Sequence, residues 1–138
     1  MNDNEFRQAV AVLDAYQRQL EALAGQAEVM RMSLDDSLRA RDTLQAVAVS
    51  KPGDDVLVPI GAGTFMHAAV SKKKKAIVSV GSRVSVEKDL PGAIEFTKSN
   101  IDEITEALKK ADTAMRELDD AIRKLSVAVQ QEYDRRQQ

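Results

Sequence analysis

The sequence has no cysteine and no tryptophan, and its three phenylalanines and two tyrosines make up only 4% of 138 residues. Without cysteine there can be no disulfide and no thiolate metal site, which fits a cytoplasmic chain. With so few rings, little is available to fill a rounded core, whereas the abundance of Ala, Glu, Lys, Arg and Gln suits long helices. Strong charge of one sign is also missing. A formal net charge of −2 argues against a general nucleic-acid binder or a ligand of acidic membranes. No apolar run approaches the ~18–20 residues of a membrane span. The polar start MNDNEFRQ does not read as a signal peptide. The expectation is one soluble domain over residues 1–138.

What the chain does have is a heptad pattern. From Leu90, the residues Ile94, Thr97, Ile101, Ile104, Leu108, Ala111, Met115, Leu118, Ile122, Leu125 and Val129 follow in alternating steps of four and three. Thr97 is the only polar member. A repeat of roughly 3.5 residues held this long marks a coiled-coil seam, whereas a helix on a globule shows a wider stripe drifting at about 3.6.

A second, looser seam runs from Phe6 to Ala48. One position takes Phe6, Leu13, Leu20, Ala27, Leu34, Arg41 and Ala48; the other takes Ala9, Tyr16, Leu23, Met30, Ser37 and Leu44. Asp3 or Asn4 can cap this helix, and Ser50-Lys51-Pro52-Gly53 stops it. The heptad runs match at about 43 residues or ~65 Å each, within arms taken as 4–50 and 89–135. When the chain is folded back so that facing position numbers sum to 138, every seam residue meets a seam residue, and the small residues Ala27 and Ala111 coincide. This predicts an antiparallel coiled-coil hairpin, with a thin layer at Ala27–Ala111 that either flexes or lets the helices approach closely. Two parallel homodimeric coils are the alternative. The short, strand-like middle segment favours the hairpin.

Between the arms, over 55–88, the period changes to two. Val56-Leu57-Val58-Pro59-Ile60, Gly61-Ala62-Gly63 and Thr64 to Val70 read as strand, turn and strand. Ala76 to Val80, Gly81-Ser82 and Arg83 to Glu87 repeat the pattern, with Lys72 to Lys75 as a solvated connection. Asp89 can cap the second arm. Two isolated hairpins leave valine-rich edges and an apolar face with nothing to cover them, and such edges are usually paired or closed into a barrel. The fold class expected is mainly α with a small β part: a long coiled-coil hairpin joined by two β-hairpins that complete an oligomeric β-barrel. The strand residues offered to that interface are Val56, Val58, Ile60, Phe65, Val70, Ile77, Val78, Val80, Val84 and Val86.

No catalytic residue, cofactor or metal site is expected. Gly61-Ala62-Gly63 lacks the Lys-Ser/Thr of a phosphate loop and reads as a hairpin turn. His67, the one histidine, has no partner for metal binding or base catalysis. The pairs Asp35-Asp36, Asp54-Asp55 and Asp119-Asp120 read as solvated surface, because neighbours on a helix face apart and the middle pair lies beside a turn.

Helix, Leu57-Val58-Pro59-Ile60-Gly61-Ala62-Gly63-Thr64-Phe65, a second strand pair with Ser79-Val80-Gly81, then a matching helix resembles the α-class subunit of prefoldin over nearly the whole chain. Two hairpins favour the α class, since β-class subunits carry one. The resemblance implies a hexamer of two α-class and four β-class subunits. Its hairpins would form a double-barrel platform, from which arms hold unfolded proteins without ATP and pass them to a group II chaperonin.

A holdase needs adjustable apolar surface, and a coiled coil uncovers its last seam residues where it ends. The residues expected to touch clients are therefore Phe6, Ala9, Val10 and Leu13 on the first arm, with Val127, Val129 and Tyr133 on the second. The alternative function is a structural coiled-coil adaptor that holds no clients. A nucleic-acid binder using the lysine run is a third reading, and neither nucleic acid nor membrane is expected as a partner.

Overall fold

A computed structural model describes the whole chain, Met1–Gln138. Helix α1 (Asp3–Val49) is followed by strands β1 (Asp55–Gly61), β2 (Thr64–Ala69), β3 (Lys75–Gly81) and β4 (Val84–Asp89), then helix α2 (Leu90–Gln137). The chain divides into two compact units, Met1–Ser33 with Ile104–Gln138, and Leu34–Glu103.

In the first unit the two helices pair antiparallel. Asp3 is bonded to Arg136, and Arg31 further along α1 is bonded to Asp112 further back on α2. The seam residues Leu13, Tyr16, Leu20, Leu23 and Met30 of α1 are half-buried, as are Ile104, Leu108, Met115, Leu118, Ile122 and Leu125 of α2. Ala27 and Ala111 are the most covered seam positions here, at 0% and 7% exposure. Small side chains at that layer let the surrounding atoms close over them. The N-terminus of α1 is capped by Asn2 and not by Asp3 or Asn4. The Glu5 amide donates to Asn2 Oδ1 (2.8 Å) and the Asn2 amide donates to Glu5 Oε2 (3.0 Å), a reciprocal capping box that starts the helix one residue early.

The second unit holds the end of α1, the strands and the start of α2. Leu44 and Val47 are half-buried here, while Ala48 is exposed. The seam thus leaves its four–three alternation in the last turn of α1, where it meets strands and not a helix. The helix end has no basic residue of its own. Lys74 supplies the charge from the loop between hairpins: its Nζ donates to the carbonyls of Val47 (3.0 Å) and Ser50. Lys74 is therefore half-buried and structural, a correction to the reading of Lys72 to Lys75 as a wholly solvated connection. At the start of α2, Asp89 Oδ1 accepts from the Gly92 amide at 2.8 Å, and Leu90, Ala93 and Thr97 are buried. Thr97 satisfies its hydroxyl by donating to the Ala93 carbonyl (2.9 Å).

The two hairpins repeat at a spacing of twenty residues. Each has a register shift beside a glycine, between Pro59 and Gly61 in one and Ser79 and Gly81 in the other. Each turns through two left-handed residues, Ala62 and Gly63 at φ +50° and +70°, Ser82 and Arg83 at +50° and +62°. This is the twist that suits a two-residue hairpin loop. Each also closes alike, Val70 N donating to Asp54 O and Leu90 N to Lys74 O. Val70 lies just past β2, yet both its amide and its carbonyl are bonded.

Burial is sparse. Only Ala27, Leu90, Ala93, Thr97, Ala111 and Glu132 are buried, and the chain exposes 10231 Å². A compact monomer of 15.2 kDa would expose roughly 7,100 Å². The chain therefore exposes about 3,000 Å² more than a compact domain of its size.

Candidate functional site

The strands carry the larger share of the large apolar side chains left exposed. Of seventeen exposed large apolar side chains, nine lie between Asp55 and Asp89: Leu57, Val58, Ile60, Phe65, Met66, Ile77, Val80, Val84 and Val86. Val56, Val70 and Val78, also expected at the interface, are half-buried.

Cross-strand register sorts these residues into faces, since directly opposed residues point the same way. In the first hairpin, Val58 opposes Met66 and Val56 opposes Ala68 on one face, while Leu57 opposes His67 and Pro59 opposes Phe65 on the other. Both faces are apolar. In the second hairpin, Val78 opposes Val86 on one face; Ile77 opposes Glu87 and Ser79 opposes Ser85 on the other. Only the valine face is strongly apolar, and Ile77 lies on the polar side at 76% exposure. Leu57 and Met66 were not among the expected interface residues. Leu57 lies in the run 56–60, which is apolar without interruption, the pattern of a strand meant to be covered on both faces; Met66 stands opposite Val58 across the hairpin.

The second candidate surface is the end of the helix pair where Phe6 and Glu132 lie. Val10, Val127 and Tyr133 are exposed, and Phe6, Ala9, Leu13 and Val129 are half-buried. An ionic cluster that pattern reading missed occupies the same end. Extending the four–three alternation beyond Val129 lands on Glu132, which is 7% exposed. Its carboxylate accepts from Arg135 Nη2 (2.5 Å) and Nε (3.1 Å) and from Arg136 Nε (3.0 Å), with the Met1 amino group 3.6 Å away. The Arg135 hydrogen bonds lead, helped by Arg136 and opposed by desolvation, in holding the Glu132 carboxyl at a pKa of about 2. Arg136 also donates to Asp3 Oδ1 at 2.5 Å and lowers the Asp3 pKa. The Arg136 guanidinium lies 4.7 Å from the centroid of the Phe6 ring.

Elsewhere the polar groups are dispersed. His67, for which the sequence offers no partner, has one carboxylate beside it: its Nδ1 is 3.1 Å from Asp55 Oδ2, opposite strands bringing the two together, with both side chains exposed. No group of three or more His, Cys, Asp or Glu could hold a metal ion. No helix is long and apolar enough to cross a membrane. Shallow grooves do exist. One beside β1, of about 470 Å³, is lined by Ala46, Val47, Val56 and Leu57 among others; another of about 470 Å³ lies between the helices at Tyr16, Leu23, Ala114 and Leu118.

An antiparallel coiled-coil hairpin joined by two β-hairpins, with its apolar surface left open on the strands, defines a subunit of an oligomeric, chaperone-type assembly. Residues 16–135 match the family model described as prefoldin subunit, and the chain belongs to the prefoldin family. It is 34% identical to the prefoldin subunit alpha of Methanoregula boonei over 96% of this chain and 86% of that one. It is 33% identical to the prefoldin subunit alpha of Pyrococcus horikoshii over 85% of this chain and 80% of that one. Among solved structures, a filamentous PFD from Methanocaldococcus jannaschii superposes with a TM-score of 0.69 at 25% identity, covering 88% of this chain and 98% of that one.

Proposed function

We propose that this chain is the α-class subunit of an ATP-independent holdase of the cytoplasm. It assembles through its strands with β-class subunits, two α to four β, holds unfolded proteins at the ends of the helix pairs, and passes them to a group II chaperonin. Carrying the reading is the placement of apolar surface: a chain with six buried residues has nine large exposed apolar side chains on its strands and others, Met1, Val10, Val127 and Tyr133, around the helix-pair end. Strand surface of this kind suits permanent pairing with other strands. The few apolar residues at the helix-pair end give weak contacts, which several subunits on one platform multiply through effective concentration.

The test is aggregation of a denatured client followed by light scattering, with the chain mixed with a β-class partner. Deleting residues 1–10 and 127–138 is expected to abolish protection while the mass of the assembly changes only by the residues removed. Full protection by the truncated complex removes the helix-pair ends from the mechanism. An assembly that never forms with a β-class partner removes the oligomer.

A further inference from the structure

Phe6 and Tyr133 are the two aromatic residues at the proposed client-holding end; Tyr133 is exposed, whereas Phe6 is not freely offered. We propose that Arg136 is a latch: tied to Asp3 on α1 and to Glu132 on α2, it lies across the Phe6 ring and withholds that ring from clients until the tie to α1 is loosened.

Three contacts fix the guanidinium in place. Nη1 donates to Asp3 Oδ1 at 2.5 Å, Nη2 to the Met1 carbonyl at 3.1 Å, and Nε to Glu132 Oε1 at 3.0 Å. The carbon between those nitrogens sits 4.7 Å from the ring centroid. The ties differ in kind. Glu132 is buried and lies four residues back on the same helix, so it holds Arg136 to α2 whether the latch is shut or open. Asp3 belongs to the other helix and is exposed, so salt screens it. The charged neighbours are the Met1 ammonium, 3.6 Å from Glu132, Arg7 beside Asp3, Glu5, engaged in the capping box, and Arg135, engaged on Glu132. Val10, Val127 and Tyr133 are open in either state, and Phe6 is the conditional member of the surface. The consequence for clients rests on the holdase reading, while the geometry of the latch does not.

The experiment uses the full chain assembled with a β-class partner, with fluorophenylalanine incorporated and the residue 6 resonance assigned through Phe6→Leu. Its relaxation by a dissolved paramagnetic agent is compared in the parent chain, Asp3→Asn and Arg136→Gln, and in the parent at low and molar salt. Protection of a denatured client is measured at one salt concentration. Asp3→Asn and molar salt are each expected to raise the Phe6 effect roughly two- to fivefold, the range an exposed ion pair supports, and to leave Phe65 and Phe96 unchanged. Arg136→Gln should raise it at least as far. In both variants less complex should suffice for half-protection, and adding Phe6→Leu should cancel the gain. Equal Phe6 exposure in all three proteins overturns the latch, whatever happens to clients. A Phe6 that opens without any gain in protection overturns its role in holding clients; Val127→Ser and Tyr133→Ser then show separately whether this end holds clients at all.

Discussion

The ammonium of Lys74 lies 3.0 Å from the carbonyl oxygen of Val47, joining the loop between the hairpins to the last turn of α1. A helix end carries unsatisfied carbonyls and a partial negative charge, and α1 has no basic residue in its last turn to meet them. Lys74→Met keeps the stem and removes the donor. It is expected to cost about 1–2 kcal/mol in a denaturant titration, whereas Lys72→Met and Lys73→Met, both exposed, should change stability by less than about 0.5 kcal/mol.

The two helical glycines should respond oppositely to alanine. A methyl group at Gly25 would meet nothing within 4 Å, so Gly25→Ala should stabilise by about 0.5–1 kcal/mol. At Gly92 it would lie 2.7 Å from Asp89 Oδ1, the oxygen that caps α2. Gly92→Ala should lose the cap and with it the propensity gain, for a net change between zero and about −1 kcal/mol. Thermal melts of the two variants, side by side, check the sign.

The hairpin turns offer a matched pair. Arg83 holds φ +62° at the position where the first hairpin has Gly63 at +70°. Arg83→Gly should relieve about 1 kcal/mol of left-handed strain, partly offset by the extra freedom of the unfolded chain, and Gly63→Ala should cost about as much. Unfolding midpoints of the assembled protein measure both.

Face assignment predicts which strand positions tolerate charge. Leu57→Asp and Val58→Asp, on opposite faces of the first hairpin, should both block assembly with a β-class partner. In the second hairpin Val78→Asp should block it while Ser79→Asp should not. Mass by sedimentation or light scattering distinguishes them. A Leu57→Asp chain that assembles normally would show that only one face of the first hairpin is covered.

Acid should loosen the helix-pair end. The Glu132 carboxyl titrates near 2 in the folded chain against an ordinary value of 4.5, so its contribution is complete above about 4.5 and is lost as pH falls toward 2. Asp3 is shifted in the same direction by Arg136. Amide exchange at residues 3–9 and 129–136, corrected for intrinsic rates, should show constant opening between pH 5 and 8 and rising opening below about 4.5. Glu132→Gln should show the opened level already at neutral pH.

The helices and their pairing were legible because a seam is a local, repeated signal. All members from Leu90 to Val129 are buried or half-buried, and the change of period at Asp55 coincides with β1. What escaped was tertiary. Ala48 continues the heptad count, but at the end of α1 Val47, beside Val56 and Leu57 of β1, is covered in its place. Lys74 reads as one lysine of four until the fold sets it under a helix end. Glu132 continues the seam, yet a search for apolar residues stops at Val129, because the arginines that make its burial tolerable are recognised only as partners once the turn is wound. Alternation does not single out Leu57, because β1 is apolar on both faces, and Met66 shows only through its register with Val58.

The twenty-residue echo between the hairpins makes the β segment modular. Since Asp54 and Lys74 accept equivalent closing bonds from Val70 and Leu90, one copy can in principle be removed and the chain still delivered to α2 in the same direction, at the expense of the Lys74 clamp. A gene encoding such a chain could gain or shed a whole strand pair in one step without touching the helices on either side.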